Sequence, residues 1–573
     1  MTVFYFLLIH RIRFCFGIPL DIRIKLVSLA DRELRTLSCP SVEARSASRI
    51  WKDLKAYHQQ KVIELGEEDI SDIMDTALRM GKRRARITGR MPRVGIVGAG
   101  LAGLRCADIL QRHNFDVTLI EGRNRLGGRL HQVTLTPGRL VDAGPNWIHG
   151  TNDNPIMELA KATNTSTGSW DAKLSVVDAA GNLLPTPDAA AHSEMMWDII
   201  SSAFTHSNQN CADIDPKESL YDYFSRQLAQ RIPDTLPDCK ERREIMYQLA
   251  ESWGAYVGNH VFSQSLKFFW LEECIDGENL FCSNTYEKIL SAISKPAVDR
   301  ARFRYGTVVN KVQCSDGDNG GMLQVHTEAG EVLEFDEVVF TAPLGWLKQH
   351  PDTFSPPLPP RLAQAIENIG YGCLEKVYIS FPKAFWRSYQ SGKDLEGFVQ
   401  FLSPDYAPDT NPKRWHQEIV ELSSFGPEDS HPTLLFYMFG EQSKFLTSEV
   451  AKLPSKEKKD AFLYEWFKPY YSRLPHYDGN SPDCQPVACF ATDWVNDDLA
   501  GNGSYCNFQT GLREGDRDIE IMREGLPDRG LWLAGEHTAP FVALGTVTGA
   551  YWSGESVGKR IAQTYYGKVT LMD

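Results

Sequence analysis

The residues whose types and spacing point first to chemistry lie between Arg93 and Arg129. The stretch reads RVGIVGAGLAGLRCADILQRHNFDVTLIEGRNRLGGR. Arg93 to Val97 is a short apolar run, predicted to be a buried parallel strand. Gly98-x-Gly100-x-x-Gly103 follows at once, and Leu104, Ala107 and Leu110 then mark one stripe of a helix. Asp116 to Ile120 is a second apolar strand, ended by Glu121. In that order each glycine has a task. Gly98 turns the chain out of the strand, Gly100 leaves the backbone bare for a pyrophosphate, and Gly103 lets the helix pack close to the sheet. The helix N-terminus offers free N–H groups and a positive dipole to the phosphate. Glu121, 23 residues after Gly98, has the reach to bond ribose hydroxyls. A lone glycine triplet would be weak. Between two strands, with the acid closing the second, it predicts a dinucleotide-binding α/β unit.

The next residues distinguish the dinucleotide. Glu121-Gly-Arg123-x-Arg125-Leu-Gly127-Gly128-Arg129 resembles the flavin-containing amine oxidase family, in which this unit runs into a Gly-Gly-Arg turn. The resemblance implies a noncovalent FAD, with Arg129 on the pyrophosphate, Gly128 in the turn and Arg123 towards the adenosine end. A guanidinium suits phosphate because it forks onto two oxygens. Further along, Leu140 to Gly150 (LVDAGPNWIHG) resembles the polyamine oxidase branch. There Gly144, Asn146 and Trp147 would pass beside the flavin ring, and His149 would stand at the mouth of the amine channel. Gly372 to Trp386 (GCLEKVYISFPKAFW) matches in spacing, and the resemblance makes Lys376 the lysine that holds a water next to flavin N5. An ammonium there would stabilise the charge that develops as oxygen is reduced. Phe381, Phe385 and Trp386 beside it favour burial over the usual surface lysine. Trp494 to Asn507 (WVNDDLAGNGSYCN) resembles the stretch that brings an aromatic, here Tyr505, to the flavin face. Ser504 stands where monoamine oxidases bond a cysteine to the flavin, so no covalent link is expected, and the register does not put Cys506 at the flavin.

A second anchor closes the chain. Leu531 to Leu533 leads to Gly535-Glu536-His537-Thr538, and Gly545-Thr546-Val547-Thr-Gly549 opens a helix. In the family Gly535, Glu536, Thr546 and Val547 lie along the cofactor, and the helix N-terminus faces the pyrimidine end of the flavin, where its dipole stabilises negative charge. Thr546 replaces the second tyrosine of monoamine oxidases, which favours polyamine or lysine-type substrates over small arylalkylamines. Gly554-x-Ser556-x-Gly558 imitates a hydrolase elbow but falls inside a helix, so it is rejected.

The elements that must position these groups are read in order. The apolar run Val3 to Ile9 is too short and too quickly followed by His10, Arg11 and Arg13 to be a convincing signal peptide. Ile50 to Met80 has helical periodicity. The basic run Lys82 to Arg86 reads as a solvated linker, or as a nuclear address. Thr151 to Lys295 shows long helical patterns. Asn279 to Phe281, ahead of Tyr286, resembles the return towards the flavin domain. Arg302 to Cys314, Met322 to Thr327 and Glu331 to Phe340 read as strands, the first resembling the strand whose backbone near Val309 meets adenine. Asp316-x-Asp318-x-Gly320 lacks the twelfth-position Glu of a calcium loop and reads as a hairpin turn. Thr341 to Leu347 resembles the exit from the flavin domain. Leu434 to Phe439 is an apolar strand, and Ala451 to Lys459 a polar helix.

Composition bounds the rest. The 573 residues suffice for two domains or more. The net charge of −13 makes nucleic acid an unsuitable partner. The mean hydropathy of −0.32 and the lack of an 18-residue apolar run argue against a spanning helix. The 12 cysteines show no CxxC and no metal spacing, which fits a reduced compartment and no metal. An intracellular, cytoplasmic setting is expected, with the nucleus open. The ending Leu571-Met-Asp573 is neither a peroxisomal nor a prenylation signal.

The expected architecture is α/β: a doubly wound, Rossmann-like FAD-binding domain built from separate segments (91–150, 298–350 and 486–573), with an inserted α+β substrate-binding domain (151–297 and 351–485) and an extension over 1–90. The resemblance implies an oxidase of amines, most readily polyamines. Hydride passes from the carbon next to nitrogen to flavin N5, the imine is hydrolysed, and O2 becomes H2O2. Three rivals stand beside it. An L-amino acid oxidase or similar flavoenzyme needs an arginine for the substrate carboxylate, and none can be assigned. A histone-lysine demethylase should carry a coiled-coil insertion, and none is visible. A flavoprotein scaffold would bind FAD that no amine bleaches. Substrate identity and oligomeric state are not encoded in these motifs.

Overall fold

A computed structural model describes residues 90–170, 173–314, 321–387, 395–426 and 428–566. The apolar run at 3–9, the helical pattern over 50–80, the basic run 82–86, the turn 316–320 and the tail 571–573 lie outside the described residues. Two sheets dominate, and they follow from two kinds of sequence.

The first is parallel and made of short runs that are mostly apolar except at its edge strand, Arg302–Arg304. In chain order β1 is Arg93–Val97, followed by helix α1, Leu101–Arg112, and β2, Asp116–Ile120. Later come β3 (Leu174–Val177), α2 (Thr186–Asn210), α3 (Glu287–Arg300), β4 (Arg302–Arg304) and β5 (Glu337–Phe340). Strands β6 (Leu374–Ser380), β7 (Phe398–Phe401), β8 (Gln417–Glu421), β9 (Thr433–Phe439), β10 (Ala488–Ala491) and β11 (Leu531–Leu533) follow, with α4, Val547–Tyr566, at the end. The parallel sheet has the order β11-β5-β1-β2-β4. Strands distant in sequence thus join around β1, because a run apolar on both faces can be satisfied only in the middle of a covered sheet.

Helices α1 and α4 cross on one face, burying Leu104, Ala107, Leu110, Val557 and Ile561 together. A methyl group on Gly554 would sit 2.1 Å from the Ala102 carbonyl oxygen. The Gly554–Gly558 pair that imitates a hydrolase elbow is therefore a place where two helices touch.

The second sheet has the order β10-β6-β9-β8-β7-β3. All its pairs are antiparallel except β7 with β3. Strand β10, which the sequence groups with the FAD-binding segments, is an edge of this sheet. Helix α2 and its neighbours pack nearby through Met196, Ile199, Phe224 and Trp253.

Three sequence expectations need correction, the first being that Glu331 to Phe340 is not one strand but two, Val332–Phe335 and β5, in different sheets. The strand expected over Arg302 to Cys314 is two strands, β4 and Val309–Gln313, which join different sheets. Tyr305 and Gly306, the latter at φ +59°, turn the chain between them. The polar helix expected over Ala451 to Lys459 is instead the end of one helix, Gly440–Ala451, and the start of another, Lys456–Tyr471. Pro454 interrupts the first, and the Ser455 side chain caps the second by accepting from Lys458 N–H. Among the described residues no helix is long and apolar enough to cross a membrane.

Candidate active site

A cavity of about 530 Å³ runs between the two sheets. Every expected site residue except Gly103 lines it. Its first end is the turn after β1. Gly98 stands at φ +102° and Gly100 opens α1. A methyl group on Gly100 would meet nothing within 4 Å, whereas one on Gly103 would meet the Gly98 carbonyl oxygen at 2.1 Å. Gly100 therefore leaves an open approach to the helix N-terminus, and Gly103 sits behind the wall as a packing residue. Glu121 is buried, accepting from Ala99 N–H and Arg123 N–H, each at 2.8 Å. That fixes the carboxylate beside the turn. Arg123 Nη2 donates to both Asp497 carboxylate oxygens, at 2.7 and 2.8 Å, tying this end to a loop 374 residues away. Val309 lines the same end from the start of its strand.

The middle is built on charge. Arg129 Nη1 donates to Glu536 Oε1 at 3.0 Å, to the Ser504 carbonyl at 2.5 Å and to Tyr371 OH at 3.3 Å. Burial works against an ionised Glu536, but Arg129, His537 and a bond from Cys506 outweigh it and hold the carboxyl below its ordinary value. Thr546 Oγ1 accepts from Gly549 N–H at 3.0 Å, which makes Thr546 a cap for α4 at the cavity wall. Ser504 turns its hydroxyl onto the Leu374 backbone, away from any covalent role. Cys506 lines the cavity, its backbone N–H donating to Glu536 Oε2 at 3.3 Å. The bridge it makes back to Tyr371 across two short strands brings it there.

The far end belongs to β6. Lys376 is buried, and its Nζ donates to the Asp142 carbonyl at 2.8 Å, to Asn146 Oδ1 at 2.7 Å and to the Gly144 carbonyl. Burial pulls its pKa down, against the attraction of Asp142 and Glu375. Trp147 stacks on Phe398 at 5.9 Å, and Trp494 donates to the Ala143 carbonyl at 3.1 Å. Tyr505 OH reaches the Tyr256 carbonyl at 2.7 Å. His149 lines the wall, its pKa lowered by burial and partly restored by Asn279.

Several cavity residues were not anticipated. Glu272 accepts from Phe508 N–H at 3.2 Å, and burial pushes its carboxyl up to about 8. Glu418, on β8, is pushed up to about 7 by burial. Tyr437, Trp253 and Tyr256 also went unread. Strand β8 reads QEIVE and is buried throughout, so no alternation marks Glu418 as a cavity-facing carboxylate.

The donor set fits a bound dinucleotide: an open glycine turn at a helix N-terminus, a carboxylate fixed at the end of β2, and a second helix N-terminus at α4. Comparison with known proteins agrees. Residues 101–562 match the family described as flavin containing amine oxidoreductase. Polyamine oxidase 2 of Arabidopsis thaliana is 24% identical over 504 residues, covering 84% of this chain and 91% of its own. Protein FLOWERING LOCUS D of the same plant is 27% identical over 475 residues, covering 82% of this chain and 55% of its own. Lysine-specific histone demethylases occur among the other relatives, and the chain spans about half the length of these. A redesigned putrescine oxidase shares the fold, with a TM-score of 0.58 at 19% identity, over 82% of this chain and 99% of its own.

Proposed function

The chain belongs to the flavin-containing amine oxidoreductase family, and on that footing we propose that it is an FAD-dependent oxidase of polyamines. One observation carries the reading. A single cavity joins the glycine turn and Glu121 to the buried Lys376, and the same cavity holds the carboxylates Glu272 and Glu418. Acids in a buried, aromatic-lined space suit a cationic chain and not an amino-acid carboxylate.

In this reading segments 91–150, 298–350 and 486–573 hold FAD, and 151–297 with 351–485 hold the amine. The bound flavin would supply the hydride acceptor and the route by which electrons reach oxygen. The protein's own groups do the rest. The α1 N-terminus at Gly100 takes the phosphates, and Glu121 takes ribose hydroxyls. Arg129, neutralised in part by Glu536, faces the pyrophosphate. The α4 N-terminus at Thr546 and Val547 favours negative charge at the pyrimidine end. Trp147, Trp494 and Tyr505 form walls that orient the amine and exclude water. Lys376 keeps a positive charge at Nζ where oxygen gains electrons. His149 stands by the amine's path and, neutral through burial, leaves the amine's charge unopposed.

Anaerobic mixing tests the proposal. The purified yellow protein is mixed in turn with spermine, N-acetylspermine, benzylamine, an L-amino acid and a methylated histone peptide. Loss of visible flavin absorbance with a polyamine alone supports it. Bleaching by the amino acid or the peptide alone would replace it with the corresponding rival, and no bleaching at all would leave a flavin-binding scaffold.

A further inference from the structure

Residues 142–146 wrap a cage of acceptors around one ammonium. Lys376 Nζ donates to the Asp142 carbonyl at 2.8 Å, to Asn146 Oδ1 at 2.7 Å and to the Gly144 carbonyl. The Asn146 amide is fixed in that orientation, because its Nδ2 donates to Tyr378 OH at 3.0 Å and its Oδ1 also accepts from Tyr437 OH at 3.0 Å. Three held oxygens thus meet three N–H bonds. A neutral lysine has only two, and its lone pair would face the third oxygen. The cage therefore selects the charged form, although the residue is only 4% exposed. An ammonium so buried needs a counter-charge.

Burial pulls the lysine down, and two carboxylates hold it up, Asp142 and then Glu375. Glu375 is next to Lys376 on β6, and alternation sends its side chain to the other face of the sheet. There its oxygens are taken by Thr492 Oγ1 and Val495 N–H, with Asp493 nearby. Asp142 is placed differently. Its carbonyl belongs to the cage, and its carboxylate is fixed by the Gln132 amide at 2.7 Å and by Tyr286 N–H at 3.1 Å. Burial drives that carboxyl up. Gln132, Lys376 and Tyr286 N–H oppose the rise, and Glu287 adds to it. The other ionisable groups around the pair are the Cys282 thiol and the phenols of Tyr286, Tyr378 and Tyr437, all pushed up by burial and so uncharged. Lys376, Gly144 and Asn146 line the cavity, whereas Asp142 is 1% exposed and lies behind that wall.

We propose that Asp142 is the positioning residue that keeps Lys376 charged. Its carboxylate balances the ammonium from behind the wall, and its carbonyl holds one of the three N–H bonds, so the cavity meets the positive charge and not its counter-ion. The assignment rests on the amine oxidase reading only for what that charge is used for. It gives the turn 142–146 a chemical task, since one short segment supplies both the counter-charge and all three acceptors.

The test reads the charge of Lys376 without using an amine. Holoenzyme is reduced with light and EDTA, and its reoxidation by oxygen is followed as a function of pH. The rate should fall through one midpoint, where the lysine loses its proton. Asp142→Asn keeps the shape and an acceptor for Gln132 but removes the charge. It should move the midpoint down by about 1–3 pH units, the effect of one opposite charge close by. Gln132→Met takes a bond from the carboxylate and leaves Asp142 in place, so it should move the midpoint the same way and less. In a Lys376→Met background Asp142→Asn should change nothing, because its effect passes through the lysine. Difference spectra of the oxidised flavin against pH should show the same midpoints without turnover. Flavin content and melting temperature verify folding, and Gln132→Met decides the matter if Asp142→Asn loses its flavin. A midpoint that stays in place, or a rate loss that persists undiminished in the Lys376→Met background, overturns the assignment. If no amine bleaches the flavin but the midpoint moves as stated, the oxidase reading fails and Asp142 keeps its role. If amines bleach the flavin and the midpoint does not move, only the role of Asp142 falls.

Discussion

Replacing Lys376 by Met separates what this lysine holds together from what it does. Its ammonium serves three acceptors: the Asp142 carbonyl, Asn146 Oδ1 and the Gly144 carbonyl. Two of them keep another donor. Tyr378 OH remains on the Asp142 carbonyl at 2.8 Å, and Tyr437 OH remains on Asn146 Oδ1 at 3.0 Å. Among the described residues, only the Gly144 carbonyl loses its sole donor. One orphaned buried acceptor costs about 1–3 kcal/mol, and removing an ammonium from a buried place recovers some of that. Lys376→Met should therefore fold, retain FAD and melt a few degrees lower. Its oxygen chemistry should suffer far more. A preorganised charge removed from a closed site costs about 100-fold or more in rate. The assay is stopped-flow: reduce the flavin anaerobically, mix with aerated buffer, and follow the return of visible absorbance. The wild-type rate should also fall as pH rises, because a deprotonated lysine has lost the charge. Burial places that midpoint below the ordinary lysine value of about 10.4, while the facing carboxyls Asp142 and Glu375 oppose the shift. The Met variant should lack the midpoint. Equal reoxidation rates in the two proteins would refute the reasoning, and so would a wild-type profile that stays flat to high pH.

Three further outcomes are expected. Gly100→Ala should leave the melting temperature of the flavin-free protein unchanged yet lower its flavin content, since the methyl meets no protein atom but occupies the approach to the α1 N-terminus; Gly103→Ala should destabilise the fold itself, its methyl lying 2.1 Å from the Gly98 carbonyl oxygen. Identical behaviour of the two variants would contradict that division. Acid precipitation should release all the flavin to the supernatant, because Ser504 offers no thiol, and a yellow pellet would show a covalent bond elsewhere. Glu375, fully buried, has its carboxyl pushed up to about 7 by burial, against bonds from Thr492 and Val495. Its folded pKa exceeds the unfolded one, so its contribution is complete below pH ~4.3 and is lost as pH rises through about 7. Relative to Glu375→Gln, the wild type should lose roughly 4 kcal/mol of stability across that window, at about 1.4 kcal/mol per pH unit. Urea midpoints at several pH values measure it, and a gap that does not change with pH would refute it.

What could be read in the sequence was local. The glycine turn, α1, β2 and Glu121 lie within one short stretch, where spacing alone dictates geometry, and the structure joins them by bonds such as Ala99 N–H to Glu121. Lys376 could be singled out because its stretch resembles a family segment in spacing, and Phe381, Phe385 and Trp386 beside it pointed to burial. Glu418 could not. Gln417, Glu418 and Glu421 are all buried in one five-residue strand, so polar residues stand on both faces and the usual inside-outside alternation is erased. The bond between Arg123 and Asp497 was equally hidden, since nothing near either residue names a partner 374 positions away.

The same contrast explains why the Lys376 end of the cavity was less legible than the glycine-turn end. Gly98, Gly100 and Glu121 act through one turn and two adjacent strands, so a shift elsewhere leaves them together. Lys376 and Glu418 meet only through β9, by way of Tyr437. A one-residue slip of β8 against β9 would turn Glu418 to the opposite face, where Ile419 now packs with Phe436 and Val399. That slip is opposed because it would pull Ile419 out of its packing with Phe436 and Val399, on a face where Gln417 and Glu421 are also buried. Core packing on one face of the sheet thus holds the carboxylate in place on the other, and the spacing of the two ends of the substrate cavity is set by residues that never touch it.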